Sequence, residues 1–122
     1  MPWKLDNNSP LYLQLMERIQ MDIISEKYNA GDKLPSVRDL ALEASVNPNT
    51  MQKALSELER SGLLYSKRTS GRFITDDKEM IKQLKHSQAI LHIKEFINKM
   101  KALGFNEEEI SLLLSKTLKE VN

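Results

Sequence analysis

The sequence predicts a mainly α-helical fold with one small β-hairpin, and three observations lead to this prediction. Apolar residues recur every three or four positions in several segments, which is the spacing of a helix with one buried face. Serine, asparagine and proline stand where these segments begin, and glycine stands where several of them end. Between residues 63 and 75 the pattern changes to two short β-type runs around a turn that contains glycine.

The composition is that of a folded intracellular protein. Of the 122 residues, 40% are hydrophobic and 29% are charged, which is the range of globular proteins. Cysteine is absent from the sequence, which excludes disulfides and cysteine-based zinc sites. No stretch approaches the ~20 apolar residues of a membrane span, and the first residues lack the apolar core of a signal peptide. We therefore expect a soluble cytoplasmic protein that has no membrane partner.

The first two helices are predicted from apolar spacing and start signals. The first opens at Ser9-Pro10 and ends at the turn formed by residues 29–32. Lys33-Leu34-Pro35 is expected to be extended, because the residue before a proline avoids the α region. Ser36 then caps a short second helix, and Asp39 follows three residues later as part of an imperfect capping box.

The third helix has one apolar and one polar face. Asn47 is its expected N-cap, Pro48 its first residue, and Gly62 its stop signal. The apolar face comprises Met51, Ala54, Leu55 and Leu58, and the polar face comprises Asn49, Gln52, Lys53, Ser56 and Arg60. Amide, hydroxyl and cationic groups in this arrangement can form hydrogen bonds with the edges of DNA bases.

The predicted hairpin consists of residues 63–68 and 72–75, joined by Thr69-Ser70-Gly71. No acidic residue occurs from Arg60 to Arg72, whereas four basic residues do: Arg60, Lys67, Arg68 and Arg72. Such a run is compatible with a solvated face or with contacts to nucleic acid. Tyr65 and Phe73 could stack on single-stranded bases, but apolar residues that flank a hairpin are more often its core contact.

Two helices joined by a tight turn and followed by a basic hairpin are the order of a winged helix-turn-helix. On this basis the residues resemble the GntR family of transcription regulators. The resemblance extends over residues 9–75 and is carried by Asp32–Ala41, Val46–Leu55, Leu58–Leu64 and Gly71–Ile74. The Asn47-Pro48-Asn49-Thr50 element and the short helical tail are most similar to the YtrA-type branch, whose members lack a separate effector-sensing domain. The wing departs from the family pattern at Thr69, where a second glycine is common.

The resemblance implies a sequence-specific regulator that binds double-stranded DNA and acts as a repressor or autoregulator. It assigns Arg38 to a phosphate or base contact, the start of the third helix to base recognition, and Gly71 to the wing. Asn47 has two interpretations, as N-cap or as DNA contact. The predicted DNA-binding residues are Ser36, Arg38, Asn47, Asn49, Thr50, Gln52, Lys53, Lys67, Arg68, Gly71 and Arg72.

The chain is expected to divide into a DNA-binding domain, residues 1–75, and a helical tail, residues 76–122. The tail has 47 residues, fewer than the ~70–80 at which a lone core becomes self-sufficient. Its apolar stripes could pack on the DNA-binding domain, but we expect them to pack against a second copy of the chain. The DNA site that such a dimer binds would be a pseudo-palindrome. The predicted homodimer interface comprises Ile90, Leu91, Ile97, Met100, Ile110, Leu113, Leu114 and Leu118.

The sequence contains no residue pattern that predicts an enzyme, a metal site or a cofactor site. His86 and His92 are six positions apart, about 240° around a helix, so they cannot share a metal on one face. The sequence contains neither a P-loop nor a dinucleotide-binding glycine motif. We therefore expect no enzyme activity, no metal and no cofactor, and no residue pattern identifies a small-molecule effector. The alternative hypothesis is a winged-helix module that binds only protein.

Overall fold

The computed structural model describes residues 2–121 and divides into two compact units, one extending to Leu84 and the other beginning at Lys85. Within the described residues there are five helices and one two-stranded antiparallel sheet. In chain order they are α1 (Leu11–Ile24), α2 (Val37–Ala44), α3 (Pro48–Arg60), β1 (Leu64–Lys67), β2 (Gly71–Ile74), α4 (Lys78–Ala102) and α5 (Glu107–Glu120). The predicted mainly α-helical fold with a small hairpin is confirmed.

Side-chain caps account for several of the helix starts. The Ser36 hydroxyl accepts a hydrogen bond from the Asp39 amide at 3.1 Å, and the Asn47 side chain accepts one from the Asn49 amide at 2.7 Å. At the start of α5, Asn106 and Glu109 form a reciprocal capping box with two 2.9 Å bonds. Each cap satisfies an amide that the helix cannot pair internally, so these starts are local properties of the sequence.

The core of the first unit forms where α1 and α2 pack on α3. Met51, Ala54, Leu55 and Leu58 of α3 are all fully buried, as the apolar periodicity predicts. The largest fully buried side chains are Leu15, Ile19, Ile23, Leu34, Leu40, Met51, Leu55, Leu58, Leu63, Leu64 and Ile74. Because one face of α3 is held in this core, its opposite face is presented to solvent in a fixed orientation.

The hairpin is extended on one side by the segment that precedes α2. Tyr65 of β1 lies opposite Phe73 of β2, and their rings stack with centroids 5.8 Å apart. Lys33 forms a β-bridge with Phe73, and the Leu34 amide donates to the Arg72 carbonyl at 2.9 Å. The predicted extended conformation at Lys33 is confirmed, and the aromatic pair contributes to hairpin packing, as the sequence favoured.

The first unit continues past residue 75 into α4, as far as Leu84. Asp77 accepts a hydrogen bond from the Met80 amide at 3.0 Å and so caps the start of α4. Met80, Ile81 and Leu84 then pack against the core of the first unit. The first turns of α4 therefore belong to the first unit, because their apolar side chains complete its core. Within residues 2–121, no helix has the length and apolarity needed to cross a membrane.

The second unit consists of the remainder of α4 and of α5. Among the residues predicted as a dimer interface, Ile97 and Met100 are half-buried in the single chain, whereas Ile90, Leu91, Leu113, Leu114 and Leu118 are exposed. Ile110 is only 6% exposed, so little of its side chain is free to meet a second copy. Ile110 lines a groove of about 570 Å³ within the unit, together with Phe96, Ile97 and Leu114, and its place in a dimer interface stays a prediction.

Candidate nucleic-acid interface

The polar face of α3 is exposed at its N-terminal end. Asn47, Asn49, Gln52 and Lys53 are exposed, and Thr50 is half-buried. Residues 49 and 53 are one helical turn apart, so their side chains leave the same side of the helix. The structure thus brings the recognition positions implied by the resemblance onto one accessible surface.

Besides Asn47, whose side chain caps α3, two of these side chains have partners within the first unit. The Lys53 ammonium lies over the Tyr12 ring of α1, 3.9 Å from the ring centroid. The Gln52 amide donates to the Ser56 hydroxyl, one turn further along α3, at 3.2 Å. Cation–π and side-chain hydrogen bonds of this kind reduce the conformations available to exposed side chains. Tyr12 was not among the predicted site residues, because its position on the apolar face of α1 indicated only a core contact.

A cleft of about 840 Å³ separates the start of α2 from the wing, which we define as the hairpin of residues 64–74. Four basic residues line it from two sides: Lys33, Lys67, Arg68 and Arg72. Gly71 at the wing has φ +100°, and a Cβ there would lie 3.3 Å from Cε of Lys33. Lys33 is a further basic residue that the sequence pattern did not identify, since it lies outside the basic run. Arg38, the other predicted phosphate contact, is exposed on α2.

The side chain of Arg72 is held against α3. Its Nε donates to Oε1 of Glu59 at 3.0 Å, and the Ser66 hydroxyl donates to the same oxygen at 2.8 Å. The bonds from Ser66 and then from Arg72 hold the pKa of the Glu59 carboxyl below its usual value. Because the folded-state pKa is lowered, the stabilisation is present at neutral pH and is lost as the pH falls through the lowered pKa. Glu59 directly precedes the basic run in the sequence, and the fold brings Arg72, at the far end of the run, into contact with it.

Comparison with known proteins identifies the family. Residues 11–74, which include α1, α2, α3 and both strands, match the family described as bacterial regulatory proteins of the gntR family. The chain belongs to the GntR family. Members are transcription regulators, and the chain is accordingly a DNA-binding transcription regulator with a winged helix-turn-helix domain.

Two GntR-type relatives come from Bacillus subtilis strain 168. The HTH-type transcriptional regulator YhcF, described as uncharacterized, is 36% identical over 107 residues, covering 88% of both chains. The HTH-type transcriptional repressor YtrA is 35% identical over 91 residues, covering 64% of this chain and 70% of its own. The resemblance to the GntR family is thereby confirmed, and the similarity to YtrA agrees with the YtrA-type branch.

Solved GntR structures show the same architecture. A GntR family transcriptional regulator from Listeria monocytogenes is 40% identical, with a TM-score of 0.84, covering 92% of this chain and 98% of its own. AraR(DBD) in complex with operator ORX1 is 29% identical, with a TM-score of 0.55, covering 62% of this chain and 95% of its own. The predicted winged helix-turn-helix is confirmed by these similarities.

Asn47 stands at a position where capping and DNA contact can be separated by substitution. Asn47→Ala is expected to lower the free energy of unfolding by about 1 kcal/mol, because the Asn49 amide loses its cap. Asn47→Asp should retain the cap and keep stability within about 0.5 kcal/mol, since Asp and Asn are equally good N-caps. The new carboxylate should nevertheless weaken binding to DNA. Thermal unfolding and a DNA titration of both variants measure the two effects. If Asn47→Asp binds DNA as wild type does, Asn47 is a cap alone.

Proposed function

We propose that this GntR-family chain is a cytoplasmic repressor or autoregulator that binds a specific double-stranded DNA site as a homodimer. The observation that carries the proposal is the arrangement of α3. Its apolar face is fully buried, while Asn49, Gln52 and Lys53 are exposed towards its N-terminal end. The similarity to YtrA, a transcriptional repressor, and to AraR(DBD), whose structure is a complex with an operator, supports this function.

In the proposed complex the start of α3 enters the major groove and its polar side chains meet base edges. Lys67 and Arg68 at the wing, with Lys33 across the cleft, contact the phosphate backbone. Arg38, exposed on α2, contacts a phosphate or base near the same strand and sets the register. Ser36 and Gly71 shape the cleft through a helix cap and a wing turn. The proposed binding requires no cofactor, metal or catalytic step.

A homodimer would place two recognition helices at a fixed separation, which requires a pseudo-palindromic operator. The proposed interface consists of apolar residues of α4 and α5: Ile90, Leu91, Ile97, Met100, Ile110, Leu113, Leu114 and Leu118. Most of these side chains are exposed in the single chain. Exposed large apolar side chains in this number make the second unit a candidate for an interface between proteins.

A salt-titrated mobility-shift assay tests the proposed function directly. The probe is the DNA upstream of the chain's own gene, and the control is a shuffled sequence of the same length and composition. We expect tighter binding to the upstream probe and a linear fall of log affinity with log salt, because phosphate neutralisation releases counterions. Equal, weak binding to both probes would contradict sequence-specific recognition and would favour a winged helix used only for protein interaction.

We expect Arg68 of the wing to contribute to DNA binding through electrostatic attraction to a phosphate. Arg68→Ala should weaken binding to the operator and to random DNA by similar factors, because a phosphate contact carries no sequence information. The magnitude of the log-affinity versus log-salt slope should fall by roughly one unit. Lys82→Ala removes the same charge from an exposed position on α4 and should leave the slope unchanged. A slope equal to wild type in Arg68→Ala would show that Arg68 makes no phosphate contact.

A further inference from the structure

We propose that Glu59 is a positioning residue for DNA binding. It holds the wing against the recognition helix through its bond with Arg72. The inference rests on the proposed function, because it assumes that the wing contacts DNA. It replaces the phosphate-contact role that the sequence suggested for Arg72. The residues involved are Glu59 of α3, Ser66 of β1 and Arg72 of β2, and we refer to them as the wing clamp.

The wing clamp joins both strands of the hairpin to one carboxylate. Ser66 and Arg72 are register partners on opposite strands, so their side chains leave the same face of the hairpin. Oε1 of Glu59 accepts a hydrogen bond from each of them, at 2.8 Å and 3.0 Å. Lys67 follows Ser66 directly in β1 and Arg68 comes next, at the start of the turn. The clamp therefore holds the hairpin immediately below its basic tip.

The charge of Arg72 is already used within the protein. Its side chain is 19% exposed and forms a charge-assisted hydrogen bond with Glu59, which is stronger than a bond between neutral groups. Lys67, in contrast, is exposed at the tip of the wing, where its ammonium lies over the Phe73 ring, 4.5 Å from the ring centroid. Lys67 and Arg72 both line the cleft. Arg72 is thus placed to anchor the wing, while Lys67 and Arg68 are placed to meet phosphates.

The hairpin depends on such an anchor because it is small. Each strand has four residues, and a lone two-stranded hairpin is marginally stable in water. Backbone bonds with the Asp32–Leu34 segment hold β2 along its edge. The wing clamp adds a side-chain connection to α3, the element that carries the recognition residues. Loss of this connection should leave the wing free to reorient relative to α3.

Charge alone and the wing clamp predict opposite effects of removing Glu59. An acidic side chain near bound DNA repels phosphates, so charge alone predicts that Glu59→Ala binds DNA more tightly. The wing clamp predicts weaker binding, because the wing must be ordered at the moment of association. The sign of the change in affinity therefore decides between the two.

The experiment measures operator affinity for the full chain by fluorescence anisotropy, with Glu57→Ala as the matched control. Glu57 lies on the same helix and pairs with Arg60 at 3.8 Å. We expect Glu59→Ala to weaken operator binding by about three- to tenfold, whereas Glu57→Ala should not weaken it. In an Arg72→Ala background, Glu59→Ala should cause little further loss, because the two residues act as a unit. Amide hydrogen exchange should be faster in residues 66–72 of Glu59→Ala without DNA.

Several outcomes would overturn the wing clamp. Operator binding by Glu59→Ala that equals or exceeds wild type would do so, as would additive losses in the double variant. If Glu59→Ala does not fold, Glu59→Gln provides the test, because it retains an acceptor oxygen but loses the charge. Unchanged operator affinity together with unchanged amide hydrogen exchange in residues 66–72 of this variant would contradict the proposal. Failure of the proposed function is distinguishable, since the wild-type chain would then show no preference for the operator over shuffled DNA.

Discussion

Leu114→Asp is expected to convert the protein from a dimer to a folded monomer at micromolar concentration. Leu114 is 42% exposed in the single chain and lies beside Phe96 and Ile97 on the apolar groove of the second unit. A second copy that covers this surface would bury the new carboxylate without a partner, which costs several kcal/mol. Sedimentation velocity of the intact chain measures the change in mass directly.

The dimer prediction has a matched control on the same helix. Lys116→Asp also introduces an acid in α5, but on an exposed polar position about 200° around the helix from Leu114. This variant should remain dimeric. Affinity of Leu114→Asp for a two-half-site operator should fall much more than its affinity for random DNA, because the fixed spacing of two recognition helices is lost. A wild-type monomer that binds a palindrome tightly would contradict the dimer, and a folded, dimeric Leu114→Asp would contradict this interface.

Gln52→Ala is expected to cost about 1–3 kcal/mol of operator binding, a loss of roughly five- to 150-fold, if the amide makes a bidentate base contact. The loss should be smaller on random DNA, so the ratio of operator to random affinity should narrow. Gln52 is exposed on the recognition face of α3, and its amide is oriented by a 3.2 Å bond to Ser56. Titrations of both probes at one salt concentration provide the measurement.

Ser56→Ala is the control for Gln52, because it removes the intrahelical hydrogen bond but keeps the amide. We expect its operator affinity to stay within about 0.5 kcal/mol of wild type, since the bond is exposed and replaceable by water. A Ser56→Ala loss as large as that of Gln52→Ala would show that the bond, and not base contact, sets affinity. Unchanged affinity and selectivity in Gln52→Ala would remove Gln52 from the recognition residues.

The local structure of this chain follows directly from its sequence. The caps at Ser36, Asn47 and Asn106 stand where α2, α3 and α5 begin. Each involves residues two or three positions apart, so the interaction is formed by neighbours in the chain and can be anticipated without the fold. The two faces of α3 are predictable for the same reason, because burial of Leu55 and exposure of Gln52 follow from the helical repeat. The order of these elements, with the family motifs they carry, was sufficient to identify the winged helix.

Contacts between elements were decided only by the tertiary structure. Glu59 and Arg72 are 13 positions apart, and Tyr12 and Lys53 lie on different helices. The end of the first unit at Leu84 and the burial of Ile110 likewise depend on which neighbouring surface receives an apolar side chain. Periodicity states that a side chain is on the apolar or polar face of its own element, but the partner is set by how elements pack. The sequence by itself therefore determined the fold, the family and the polar face of α3, whereas packing decided that Arg72 anchors to Glu59.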